Sequence, residues 1–216
     1  SRYYFESADF LQGADWGKAV YWTHADRRDQ PEPPDRYPGA GDTPQLYSLN
    51  AVAYESLMVG VHYIHRGPKN EICNAGRFPK LLDLELGFSR DGFHWDRPDR
   101  RGFLVGSRTE GAWDRAYLHG TAGVLVVLDD QLVFPYCGFS GFAPGGSRGM
   151  YTGGSIGLAT LRRDGFASMD GPGELTTRPV KFRGKHLFVN LNGSLRVELL
   201  DKDGKVLAAS EAGSGD

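Results

Sequence analysis

The clearest hydrophobic pattern in the chain is Leu81–Trp95, LLDLELGFSRDGFHW. Leu82, Leu84 and Leu86 alternate with Asp83 and Glu85, a period of two that predicts a half-buried strand. Ser89, Asp91 and Gly92 then supply the acceptor side chains and the positive-φ freedom of a tight turn. Trp95 follows as a large apolar plate. Tyr3–Trp16 (YYFESADFLQGADW) and Ser155–Ser168 (SIGLATLRRDGFAS) follow the same order of strand and Asp-centred turn, and the tetrapeptide Arg-Asp-Gly-Phe stands at both 90–93 and 163–166. Recurrence of such a unit at intervals of several tens of residues predicts a propeller or solenoid of short sheets over a single sandwich. Chance repetition of an ordinary hairpin turn is the competing account of the tetrapeptide.

Taken in order, 1–24 predicts two strands around a turn. The Pro- and Gly-rich, charged stretch 25–44 predicts a long surface loop. Leu46–Tyr54 and Leu57–His65 read as strands, 67–80 as an irregular loop, and 45–98 together as one four-stranded unit. A connection over 99–116 leads into a second unit over 117–168. Its inner strand is Tyr117–Leu128, followed by a hairpin turn at Asp129–Asp130, a strand over Gln131–Phe139 and a Gly-rich loop over 140–154. Beyond Asp170, short strands are predicted at Leu175–Lys181, His186–Asn192, Ser194–Leu200 and Lys205–Ala209, with Asp203–Gly204 as a strong hairpin signal. These begin a β-sandwich and stop short of its usual strand count. The expected class is all-β, with one domain over 1–170 and a sandwich-like segment over 171–216.

Composition narrows the function classes. The 216 residues include 30 Gly, which suits many turns, and the net charge of −2 gives no electrostatic case for nucleic acid or an anionic membrane. No apolar run approaches the ~20 residues of a membrane-spanning helix. Cys73 and Cys137 lack metal-type spacing; they form one disulfide or, the favoured reading, remain as buried thiols.

The runs FSRDGFHWDRP, EGAWDRAYLHGTAG and GGSIGLATLRRDGFASMD lead into LTTRPVKFRGKHLFVNLNGSLRVELLDKDGKVL. They resemble the later blades and trailing sandwich of glycosidase-type five-bladed β-propellers of the arabinanase and invertase groups. The resemblance implies a partial propeller of about two and a half four-stranded blades and an incomplete sandwich. It implies hydrolysis of plant or algal polysaccharide or oligosaccharide, in which one axial carboxyl donates a proton while another activates water or attacks carbon. The first two carboxylate-bearing blades have no counterpart here. The alternative is therefore a noncatalytic carbohydrate-binding propeller or fragment, and a homodimer could complete the ring. A secreted or periplasmic location and a calcium ion are implied in the same way.

The resemblance also ranks residues. Glu55 follows an inner strand and is the acid candidate, or else a surface Glu in a hairpin. Asp83 is a catalytic candidate, or shares with Glu85 a solvated or Arg-paired strand face. Asp114 ligates or orients, or caps a turn. His119 resembles the axial histidine directed at calcium or water, or is a packed structural histidine. Tyr54, Trp113 and Tyr136, with Tyr47 and Tyr117, offer faces on which sugar rings stack. Trp16 and Trp95 are expected to pack between sheets, and Asp91 and Asp164 to hold their turns. His62 and His65 are too isolated for a transition-metal site.

Overall fold

A computed structural model describes residues 1–215. The chain forms two compact units, Ser1–Ala167 and Ser168–Asp216. Its architecture is mostly β: several small antiparallel sheets and one short helix among the described residues. No helix there is long and apolar enough to cross a membrane.

In the first unit, β1 (Arg2–Tyr4) pairs with β2 (Val20–Thr23). β3 (Gln45–Tyr54), β4 (Leu57–Gly67) and β5 (Leu81–Ser89) form an antiparallel meander. The β3–β4 hairpin turns on Glu55 and Ser56, with Glu55 in the left-handed region at φ 50°. Residues 96–104 run as a broken fourth edge beside β5. There Phe88 and Asp96 exchange N–H···O bonds of 2.8 and 2.9 Å, and Leu84 pairs with Leu104. The second sheet holds β6 (Ala116–Gly120), β7 (Val126–Leu128), β8 (Gln131–Phe139) and β9 (Gly154–Arg162). β6 and β7 lie along one edge of β8 and β9 along the other. The predicted continuous strand Tyr117–Leu128 is thus interrupted at 121–125. Val124, at φ 62°, turns its side chain into the core there and is 3% exposed.

One apolar core joins the two larger sheets. Val61, Tyr63, Leu82 and Leu84 meet Tyr117, Leu118, Leu132 and Phe134. Burying each aliphatic side chain of this kind contributes about 1.5–3 kcal/mol. The alternation in β5 is real, but its second face is also enclosed: Asp83 and Glu85 are 2% and 0% exposed. A solvated polar face is excluded, and the Arg-paired reading holds. Trp95 packs on the face of the first sheet, over Gly60, where a Cβ would come within 2.4 Å of the indole. Trp16 does not: it is 76% exposed and meets only the Phe5 ring among the aromatic contacts described.

One further expectation is corrected. The stretch 67–80, predicted irregular, contains α1 (Asn70–Gly76). It is two turns long and starts from Lys69 without a side-chain cap, so neither periodicity nor a capping residue announces it. It closes on Arg77 in the left-handed region and buries Cys73. Both cysteines are free thiols, Cys73 buried and Cys137 half-buried.

The second unit contains β10 (Gly193–Leu195), β11 (Glu198–Leu200), β12 (Val206–Ala209) and β13 (Gly213–Gly215), paired β10–β13 and β11–β12. Leu175–Lys181 and His186–Asn192 do not form the predicted strands. Alternation alone does not make a strand; it needs a partner and an apolar surface to cover. Here Phe182 and Phe188 are 71% and 90% exposed.

Candidate functional site

β3 organises two chemically different places, one at each end. At its C-terminal end the hairpin residue Glu55 borders a hollow of about 200 Å³ lined also by Tyr54, Ser56, Phe88, Asp164 and Phe166. The Tyr54 hydroxyl donates to Asp164 Oδ1 at 2.5 Å, tying the first sheet to the turn that follows β9. Burial raises the Tyr54 pKa, and its bond to the Asp164 carboxylate adds to that. Arg163 donates to Glu55 Oε1 at 3.2 Å, with both side chains largely open to water. The rings of Tyr54 and Phe88 each meet Phe166 edge-on at 5.7 and 5.6 Å. Two carboxylates and an aromatic wall therefore share one open concavity.

The other end of β3 is enclosed. Lys80, just before β5, is 4% exposed. Its ammonium lies 4.9 Å from the ring centres of both Tyr47 and Tyr117 and 5.7 Å from that of Tyr151. Its one hydrogen bond described is a long one, 3.4 Å, to Asn70 Oδ1. The Tyr117 hydroxyl donates to that of Tyr47 at 3.1 Å. Tyr117 holds φ 50°, unusual for a bulky residue and a mark of local strain. Its pKa is raised, first by burial and then by Tyr47. His119 packs against Tyr63, Tyr117 and Tyr47 at 4.9, 5.7 and 5.8 Å. Burial, and then the Lys80 charge, hold both His65 and His119 below the ordinary imidazole pKa, although the Gly120 backbone pulls His119 the other way. Asp42 lies against Gly67, and its Oδ2 and His65 Nε2 are buried without hydrogen-bond partners.

A third place is an aromatic platform. Trp113 leans on Tyr136, ring centres 5.6 Å apart, and both rings lie over Gly157, whose missing side chain makes room for them. Trp113 is 39% exposed, and the neighbouring Asp114 charge adds to burial in raising the Tyr136 pKa.

The predicted residues are thus distributed. Glu55 and Tyr54 share the open hollow, Trp113, Asp114 and Tyr136 the platform, and His119 the lysine chamber. Tyr47, which His119 touches, and Glu55 are separated by roughly 26 Å of extended strand. Asp83 stands apart, inside an ionic brace. Its oxygens accept from Arg66 Nε at 2.9 Å, from Arg108 Nη1 and Nη2 at 2.9 and 2.6 Å, and from the Gly106 N–H at 3.3 Å. Arg108 also grips Glu32 at 3.0 Å, while Glu85 is held between Arg66 and Arg97, and Arg97 reaches Asp29. Burial works against the Arg108 charge, but its bonds to Asp83 and Glu32 outweigh this and keep its pKa above normal.

Calcium takes six to eight hard oxygen ligands. The ring contacts of His119 are tyrosines, and no group of three or more His, Cys, Asp or Glu side chains among the described residues is placed to hold a metal. The groups around His119 do not fit the ion. Reading the sequence missed two groups. Asp164 carries more than its turn, and Lys80 bears no local motif, because the rings around it come from β3, β6 and the 140–154 loop. Compared with known proteins, the chain matches no family model, no curated protein and no solved structure.

Proposed function

We propose that the chain is part of a propeller-type glycoside hydrolase acting on plant or algal polysaccharide, with Glu55 and Asp164 as its working carboxylates. One observation carries this reading: two carboxylates from different sheets border the same aromatic-walled hollow. Glycoside cleavage needs such a pair. Substrate that displaces the water-exposed Arg163 pair leaves Glu55 free to take up a proton and give it to the glycosidic oxygen. Asp164, oriented by the Tyr54 hydroxyl, activates the water that attacks the sugar. Phe166 and Tyr54 offer apolar faces to the C–H side of a ring. Asp83 has no part in this chemistry, because its oxygens are occupied by arginines.

A second reading, noncatalytic carbohydrate binding, is supported by the Trp113–Tyr136 platform with Asp114 beside it. Reducing-end release from a panel of plant and algal glycans separates the two. Cleavage by the wild type that falls at least about 100-fold in Glu55→Gln supports the hydrolase. Binding without release by the wild type on every glycan supports the binder.

The propeller reading extends to assembly. β9 is an edge strand whose outward residues Ile156 and Leu158 are 82% and 67% exposed. That face suits a second copy completing the ring. A monomeric mass at micromolar concentration removes this part of the proposal.

A further inference from the structure

We infer that the Lys80 chamber is an anion subsite that recognises the carboxylate of an acidic sugar, so that the glycan handled by this chain carries uronic acid units. This rests on the carbohydrate reading above and names the chemistry of its ligand.

The argument starts from the cost of burying an ammonium. A lysine out of water needs either a carboxylate partner or several hydrogen bonds. Lys80 is 4% exposed, yet it takes part in no ion pair among the described residues and has the single 3.4 Å bond to Asn70. An ammonium has three N–H donors. Three tyrosine rings stabilise the cation without accepting a conventional hydrogen bond. Two donors are therefore left for a ligand.

The surroundings favour an anion. Tyr47 accepts its neighbour's bond and keeps its own O–H to give. Tyr151, at 55%, is the most exposed of the three rings. Arg2 also lies over the Tyr47 ring, 6.0 Å from its centre, and adds a second cation. His65 and His119, held below the ordinary imidazole pKa, add no cation to Lys80 and Arg2 at neutral pH. Asp42, whose charge acts on His65, packs against Gly67, and its Oδ2 has no hydrogen-bond partner. A carboxylate entering past Tyr151 would take N–H from Lys80 and O–H from Tyr47 and Tyr151. A neutral sugar would leave the ammonium as unsatisfied as before. Tyr117, in its strained backbone conformation, holds one wall of this arrangement.

The test is calorimetric titration of the full chain with glucuronate, glucose and sodium sulfate as probes. Glucuronate is expected to bind at least tenfold more tightly than glucose. Lys80→Met is expected to remove that preference. Tyr151→Phe, on the most exposed of the three rings, is expected to weaken glucuronate a few-fold with an unchanged melting temperature, and it keeps the inference testable if Lys80→Met fails to fold. Glu55→Gln is expected to bind glucuronate like the wild type, which separates this outcome from the hydrolytic one. Equal affinity for glucuronate and glucose, no binding of either, or Tyr151→Phe without effect would overturn the inference. Sulfate binding as tightly as glucuronate would overturn it too, by pointing to a site for free anions. Cleavage confined to neutral glycans with no glucuronate preference sinks this inference alone. Glucuronate binding without cleavage of any glycan sinks the hydrolase alone.

Discussion

The same four residues, Arg-Asp-Gly-Phe, occur twice in the chain and end in different circumstances. At 90–93 the aspartate serves its own turn. Asp91 Oδ1 accepts from the Phe93 and His94 N–H groups at 2.8 Å, and its Oδ2 meets His94 Nδ1 at 2.6 Å. These hydrogen bonds, from the His94 side chain first, hold its pKa well below the usual carboxylate value. Phe93 is 44% exposed and touches the Tyr4 ring at 4.9 Å. At 163–166 the aspartate also reaches outside its turn. Asp164 accepts from Tyr54, Arg163 pairs with Glu55, and Phe166 packs on Tyr54 and Phe88. Local sequence sets the turn; what lies opposite decides whether its charge is spent locally or faces a hollow.

Substitutions can break or sharpen this comparison. The largest effect is expected on turnover. Glu55→Gln and Asp164→Asn should each lower kcat by about 10²–10⁴, while Asp91→Asn should leave it unchanged. Equal losses in Asp91→Asn and Asp164→Asn would show that both act only through folding. Next comes stability. Asp83→Ala leaves Arg66 and Arg108 buried beside a missing charge, and denaturant titration should show a loss of about 3–5 kcal/mol. The same substitution should spare the kcat of whatever fraction remains folded.

A pH effect follows in size. His62 is fully buried, its ring nitrogens lack partners, and burial, then Arg97, push its pKa down to about 3. The unfolded chain takes up a proton near pH 6.5 that the folded chain refuses. Stability is therefore full above pH 6.5 and falls with acid toward pH 3, by up to about 1.4 kcal/mol per unit. Denaturant midpoints across pH 4–7 should show this slope, and His62→Phe should flatten it. The smallest effect is expected for Tyr54→Phe. It frees the Asp164 oxygen and should lower kcat only a few-fold, with a melting temperature close to wild type.

Much of the first unit is legible from residue pattern. The alternation over Leu82–Leu86 gives β5, and Leu46–Tyr54 and Leu57–His65 give β3 and β4 within two residues. Asp129–Asp130 gives the β7–β8 hairpin, with Asp129 at φ 52°. What covers each face is not legible. Asp83 and Glu85 look half-solvated because the arginines that enclose them come from β4, the 96–104 edge and the segment after it. Lys80 looks like a loop residue, since each of its rings arrives from a distant element. In the second unit, alternation suggests strands over 175–192, but they gain no partner. Period-two patterning states which face could be buried and is silent on whether anything arrives to bury it.

The central claim is that Glu55 and Asp164 flank a sugar-binding hollow. A crystal structure of Glu55→Gln soaked with a plant oligosaccharide tests it most directly. The account predicts a sugar ring against Phe166 and Tyr54, its glycosidic oxygen within hydrogen-bond reach of residue 55 and a water held by Asp164. A sugar seated instead on Trp113 and Tyr136, with the hollow filled by solvent, would contradict it.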